Sequence, residues 1–429
     1  MYCQRNLLKI TILTLTLLLI VQYPFYQWSK NNANLFVKNS IKRSVIEYLT
    51  KFEQSEQIDI EIESFRQLYG LKGVSIAIVH DGKLVFTKGY GYANEENKIL
   101  ASSDNLFRLA SVSKLITSVA IMKLIEEGKL TLSDKVFGKE GIINDKKYLQ
   151  IKDKRLLDVT VLNLLNHSGG WTQKYGDPMF NPLKICSLMK SDPPADMDTY
   201  IKFAVTRMLH FTPGTIYSYS NMGYLFLGEV IERVSGLPYD EYVREKILKP
   251  MGIIDMCLAN NRFEDRLPKE VTYYDYGDKA YCQSFMGDST QLPKIYGGNN
   301  IRMLGAAGGW VASAPDLARL MVSIDGFSNV KDILSPKSVD EMTGKLGKTL
   351  GWKEIYKDGW LRTGTFSGTA ALMYRQNDGV EWVFLSNTST YRGPYFSHYV
   401  VRMMKKITNK IDEWPAFDLF NYYNFVIPE

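Results

Sequence analysis

Two Asp-Gly dipeptides bracket the chain, Asp81-Gly82 near its start and Asp378-Gly379 near its end, each between two runs of β-forming residues. Asp-Gly in that setting is a strong hairpin signal, because a tight two-residue turn needs positive φ at its centre. Residues 74–79 and 84–91 flank the first turn; residues 370–376 and 381–385 flank the second, with a further strand at 360–363. Between the hairpins the pattern is helical. Residues 115–125 are apolar nearly all round, the mark of a buried helix. Helices are also predicted at 160–165, 224–234, 239–248 and 315–324, the last capped by Ser313 and opened by Pro315. An amphipathic helix is predicted at 58–68, ahead of the first hairpin, and a further helix at 394–410, after the second. This order predicts an α/β (α+β) fold: an antiparallel sheet built from both chain ends, flanked by helices, with a mainly α-helical domain inserted. The expected boundaries are 1–30 for a targeting segment, 31–57 for a tether and 58–429 for the folded unit. Its α/β part lies at about 58–110 and 325–425, its helical part at about 111–324.

The chain has 429 residues, of which 45% are hydrophobic, enough for a large core. The net charge of +6 is spread along the chain, without the clustered Lys and Arg of a nucleic-acid footprint. Arg5 and Lys9 precede an uncharged apolar run at 10–21, followed by Tyr23, Phe25, Tyr26 and Trp28. A charged start and a short apolar run describe an export signal, and the aromatics resemble an interfacial belt. No small-residue cleavage site stands out, so residues 7–28 are expected to anchor the chain in a membrane, a cleaved signal being the alternative. Either way the bulk of the chain is expected outside the cytoplasm. Cys3, Cys186, Cys257 and Cys282 do not make a disulfide framework, though a Cys257–Cys282 pair is conceivable. The scattered histidines and cysteines show no metal-ligand spacing, and no cofactor is expected. Gly89-Tyr90-Gly91 lacks the third glycine and the immediate helix of a dinucleotide fingerprint.

Chemistry enters at Ser111-Val112-Ser113-Lys114, at the head of the most apolar helix. Residues three apart share a helical face, so the hydroxyl of Ser111 and the amine of Lys114 are expected side by side. A serine beside a base is the minimal unit of nucleophilic catalysis. In so apolar a helix an ammonium is poorly solvated, which lowers its pKa and makes it a usable base. The plain alternative is a capping serine and a snorkelling lysine; the rest of the chain decides between them.

Several stretches, in order, decide it. Phe107-Arg108-Leu109-Ala110-Ser111-Val112-Ser113-Lys114, Leu130-Thr131-Leu132-Ser133-Asp134, Asn166-His167-Ser168-Gly169-Gly170, Tyr219-Ser220-Asn221, Lys249-Pro250-Met251-Gly252, Gly308-Gly309-Trp310 and Arg362-Thr363-Gly364 together resemble the serine β-lactamase-related family. That family takes in penicillin-binding proteins, class C β-lactamases, D-aminopeptidases and esterases of one fold. The resemblance covers roughly residues 58–410. It implies Ser111 as nucleophile, with Lys114 and Tyr219 as the groups that move its proton. It implies Asn221, Arg362, Thr363, Gly364 and Thr365 as substrate-binding positions, with the N–H groups of Ser111 and Thr365 on the oxyanion. Arg362 departs from the family's lysine or histidine. Arginine stays protonated and forks onto carboxylates, so a carboxylate-bearing substrate is one expectation. His167 belongs to a loop that is structural in the family, and no G-x-S-x-G elbow appears, which disfavours a Ser-His-Asp hydrolase.

The resemblance implies an exported serine hydrolase that forms an acyl-enzyme on amide or ester bonds of a small-molecule or peptide substrate, without nucleic acid. An esterase or D-aminopeptidase of the same fold is one alternative. A non-catalytic sensor or scaffold is another.

Overall fold

The computed structural model describes residues 50–276, 280–344 and 348–423. The expected targeting segment at 1–30, the anchor at 7–28 within it and most of the tether at 31–57 lie outside the described residues. Among the described residues no helix is long and apolar enough to cross a membrane.

Helix α1 (Ser55–Leu68) precedes the hairpin of β1 (Gly73–His80) and β2 (Lys83–Asn94), with a short β3 (Ile99–Leu100) after it. The helical section includes α2 (Ser113–Glu126), α3 (Pro182–Met189), α4 (Met197–Thr206), α5 (Asn221–Ser235), α6 (Ile301–Gly308) and α7 (Ala314–Val322). The chain then returns to the sheet through β4 (Glu354–Tyr356), β5 (Gly359–Phe366), β6 (Thr369–Gln376) and β7 (Val380–Ser386), and closes with α8 (Phe396–Thr408).

The seven strands run in the order β3-β2-β1-β7-β6-β5-β4, every neighbouring pair antiparallel. The two chain ends therefore meet mid-sheet, where β1 pairs with β7 from Val74↔Ser386 to His80↔Val380. The first hairpin turns as its dipeptide requires, with Asp81 and Gly82 at φ of 48° and 76°; the second connects its strands through Asn377, Asp378 and Gly379, with positive φ at Gly379 alone, 87°. Strand periodicity sorts the sheet into two faces. Ile76, Ile78, Leu372, Tyr374, Trp382 and Phe384 pack with α1 and α8, whereas Ala77, Val79, Met373, Val383 and Leu385 join the larger core of α2, α5 and α7. Burial on both faces is why β1 reads as a nearly unbroken apolar run.

The structure shifts several expectations. Strand β5 runs to Phe366 rather than stopping at 363, since pairing with β6 continues to Phe366↔Thr369. The helix expected at 239–248 is α-helical only over Tyr239–Val243, then becomes a π turn at Arg244–Leu248 ahead of Pro250, which has no N–H to continue it. Cys257 and Cys282 are both free. Separate pairings hold them, Cys257 opposite Val311 and Cys282 opposite Leu292, so the conceivable disulfide does not form.

Candidate active site

Ser111 lies on a 3-10 turn, Ala110–Val112, that runs directly into α2. Its entry is sharp, with Ala110 at a φ of 46°. Sequence spacing placed Ser111 on the helix itself; the tighter turn still brings its Oγ 3.3 Å from Lys114 Nζ. Strand β5 fixes this turn from one side. A Cβ on Gly364 would collide with the Leu109 carbonyl and stand 2.8 Å from Ser111 N, so only glycine lets the strand pass so close.

Lys114 is fully buried. Its ammonium donates to Asn221 Oδ1 at 2.7 Å and to the Ala307 carbonyl. Ala306 and Ala307 end α6, where carbonyls lack intrahelical partners; Thr117 Oγ1 takes the Ala306 carbonyl at 2.7 Å. The last turn of α6 thus grips α2 at two successive carbonyls. Burial lowers the Lys114 pKa below the ordinary lysine range, Arg362 adding to the effect while Tyr219 and Asp177 oppose it.

Tyr219 OH stands 2.6 Å from Ser111 Oγ. Burial alone would raise its pKa. The charges of Lys114 and Arg362, with hydrogen bonds from Lys114 and Ser111, outweigh burial and hold the phenol below its ordinary range. Ser220 caps α5, its Oγ accepting from Gly223 N at 3.2 Å, so Tyr219 and Asn221 straddle a helix start and face one site. His167 does not touch Ser111 among the described contacts. Its ring lies 4.5 Å from that of Tyr219 and its Nδ1 accepts from Ser220 N at 3.2 Å. Burial, then the charges of Lys114 and Arg362, holds its pKa well below the usual value, which keeps it a neutral acceptor.

Arg362 is buried, only 3% exposed. Its Nε donates to the Ser111 carbonyl at 2.8 Å, and Nη2 donates to the same oxygen. Those donors are therefore committed to the backbone of the nucleophile rather than presented to a ligand, as the sequence reading expected. Thr363 and Thr365 alternate with Arg362 and Gly364, so their side chains line a separate cleft with Asp275, Ser389 and Phe396. What the two threonines can offer the Ser111 side is backbone. Strand β4 pairs with β5 only at Gly359, Trp360 and Leu361, which leaves 362–366 unpaired by any strand on that edge among the described residues.

Sequence reasoning missed Asp177. It is buried, and its Oδ2 accepts from Asn221 Nδ2 at 2.7 Å and from Gln173 Nε2 at 2.8 Å. A carboxylate only accepts, so it turns the Asn221 amide nitrogen toward itself and the amide oxygen toward Lys114. No group of three or more His, Cys, Asp or Glu able to hold a metal occurs among the described residues.

A half-buried serine and tyrosine over a buried lysine, beside an open strand edge, fit the earlier resemblance, and the family match decides it. The Beta-lactamase family model matches residues 59–401. The chain belongs to that family. Within it, a relative from Escherichia coli (strain K12) named "Putative D-alanyl-D-alanine carboxypeptidase" is 30% identical over 207 residues, covering 46% of this chain and 44% of the relative. The match thus spans less than half of that relative's length. Among solved structures, the octameric penicillin-binding protein homologue from Pyrococcus abyssi has a TM-score of 0.60 at 26% identity, covering 82% of this chain and 76% of that one. D-amino acid amidase from Ochrobactrum anthropi SV3, complexed with D-phenylalanine, reaches a TM-score of 0.64 at 20% identity, over 84% of this chain and 100% of that one, and shares the fold. In this Beta-lactamase family member the antiparallel sheet and helical section are those of the solved relatives.

Proposed function

We propose that this chain is a serine hydrolase that forms an acyl-enzyme on Ser111. The observation that carries the reading is the placement of Ser111 Oγ 2.6 Å from Tyr219 OH and 3.3 Å from Lys114 Nζ. A serine hydroxyl attacks a carbonyl only when a base takes its proton. Tyr219, its phenol lowered by the neighbouring cations, accepts that proton; the same proton then passes to the leaving amine or alcohol. Lys114 stabilises the phenolate through charge. The N–H groups of Ser111 and Thr365 receive the developing oxyanion, and the open edge at 362–366 pairs with an extended acyl substrate.

Arg362 favours one alternative within this class. With Nε and Nη2 turned onto the Ser111 carbonyl, Arg362 does not present that side of its guanidinium to a substrate carboxylate. Esters and amides lacking a free carboxylate at the leaving group, including D-amino acid amides, are the substrates this arrangement suits. The test is intact-protein mass after incubation with an activated ester, a D-amino acid amide or a penicillin. An adduct or turnover that disappears in Ser111→Ala supports the reading; the absence of Ser111-dependent chemistry with every acyl donor would sink it and favour a scaffold. We also place the folded part outside the cytoplasm, on the charged start and apolar run at 5–21. Protease digestion of spheroplasts checks this, and full protection of the chain argues against it.

A further inference from the structure

A second concave site lies on the helical section, between α3, α4 and the loop at 171–178. It encloses about 410 Å³, within the range of about 300–1,000 Å³ typical of small-molecule sites. Its wall is apolar: Trp171, Tyr175, Ile185, Leu188, Phe203 and Met208. Several of these reach solvent, with Tyr175 69%, Leu188 42% and Met208 55% exposed. Singly exposed apolar side chains need no explanation, but a contiguous group around a concavity does.

The exposed charges at this cavity are positive. Lys184 and Arg207 line it, are exposed, and have no carboxylate partner among the described residues. Arg207 lies over the Phe203 ring at 5.9 Å, which keeps its guanidinium against the apolar wall. The acid on the lining is Asp177, and its oxygens are taken by Asn221, Gln173 and Met179 N. His210, also on the lining, accepts from Thr172 N through Nδ1.

We propose that this cavity binds a single-chain amphiphile with an anionic head, a carboxylate or a phosphate. The chain enters between α3 and α4, against Trp171, Ile185 and Phe203. The head sits at the rim between Lys184 and Arg207. Such a ligand abuts Asp177, and through it the Asn221 amide that faces Lys114, but the site itself uses none of the reacting groups.

The test is direct binding to the full-length protein, independent of hydrolysis. Dodecanoate and dodecyl phosphate, each below its micelle concentration, are titrated by calorimetry and by tryptophan emission; dodecyltrimethylammonium and dodecanol serve as controls. Saturable binding of an anionic chain at one site is expected, at least tenfold tighter than the cationic chain. The stronger anion identifies the head as carboxylate or phosphate. Lys184→Glu with Arg207→Glu should weaken binding at least tenfold, and both positions are exposed, so the fold should survive. Leu188→Asp, also at an exposed position, should weaken both anions while leaving the melting temperature unchanged. Ser111→Ala should bind as wild type does. No saturation below the micelle concentration, equal binding of the cationic chain, indifference to the charge reversal, or loss of binding in Ser111→Ala would each overturn the proposal; the last would assign the amphiphile to the hydrolytic cleft.

Discussion

At the scale of single residues, the site is a chain of enforced orientations. Asp177 turns Asn221, Asn221 accepts from Lys114, and Lys114 sits beside Ser111 and Tyr219. Asp177→Asn leaves both amide orientations open to Asn221. A hydrogen bond to a charged group contributes about 1.5–3 kcal/mol, so kcat is expected to fall about ten- to a hundredfold with KM little changed. Removing that charge also lowers the Lys114 pKa further, so the pH profile should move to lower pH; an unmoved profile with an unchanged kcat would argue against the positioning role. The wild-type profile has its own signature. Burial lowers Lys114, and the cations around Tyr219 hold its phenol down, so kcat/KM should rise with pH through an apparent pKa below the ordinary phenol value of 10. That pKa belongs to the coupled pair rather than to either residue. Gly364→Ala pushes a methyl into the backbone at Leu109. Overpacking of this kind costs about 1–3 kcal/mol, and here the strain falls on the nucleophile turn, so acylation should suffer more than the melting temperature.

At the scale of elements, caps and turns decide which side chains converge. Ser220 caps α5 between Tyr219 and Asn221. Ser220→Ala should cost about 1 kcal/mol by loss of the cap, read as a lower urea midpoint, and should slow acylation as Tyr219 loses its anchor; a stability loss with acylation unchanged would separate the two roles. The same elements explain what could be read in advance. The two Asp-Gly hairpins and the unbroken apolar run of α2 are strong local signals, and they place the sheet and the nucleophile helix. Ser111, Lys114 and Tyr219 come together because their short motifs lie on or beside helix starts. Asp177 escaped because residues 171–212 form short turns and helices, such as Pro178–Phe180 and α3, too brief to show a periodicity. The direction of Arg362 escaped for another reason. Strand alternation gives the face a side chain takes, not the group waiting there, and the Ser111 carbonyl comes from 251 positions away.

At the scale of the molecule, one feature stands apart from the site. Beneath β6 and β7, Glu381, Asp325 and Asp332 gather near Arg375; burial, then a hydrogen bond to Asp325 and its charge, raises Glu381 well above the carboxylate range, and burial with the Asp325 charge raises Asp332 to about 7. A carboxyl whose pKa is raised by folding contributes stability that is complete below its unfolded pKa and lost as pH climbs through the folded one. The melting temperature should therefore fall between about pH 4 and pH 7, and Glu381→Gln should flatten that decline; an identical slope in the variant would remove Glu381 as its source. The grip of α6 on α2 has a different reach. Ser111 and Lys114 take their partners from Tyr219, Asn221, Ala307 and Arg362, with sequence separations of 107 to 251 residues. No fragment lacking any one of these stretches holds a complete nucleophile, and neither does a chain part-way through synthesis. On the proposed chemistry, a fluorescent acyl donor that labels Ser111 would thus report the fraction of molecules whose distant segments have closed, which makes the site a built-in gauge of native assembly.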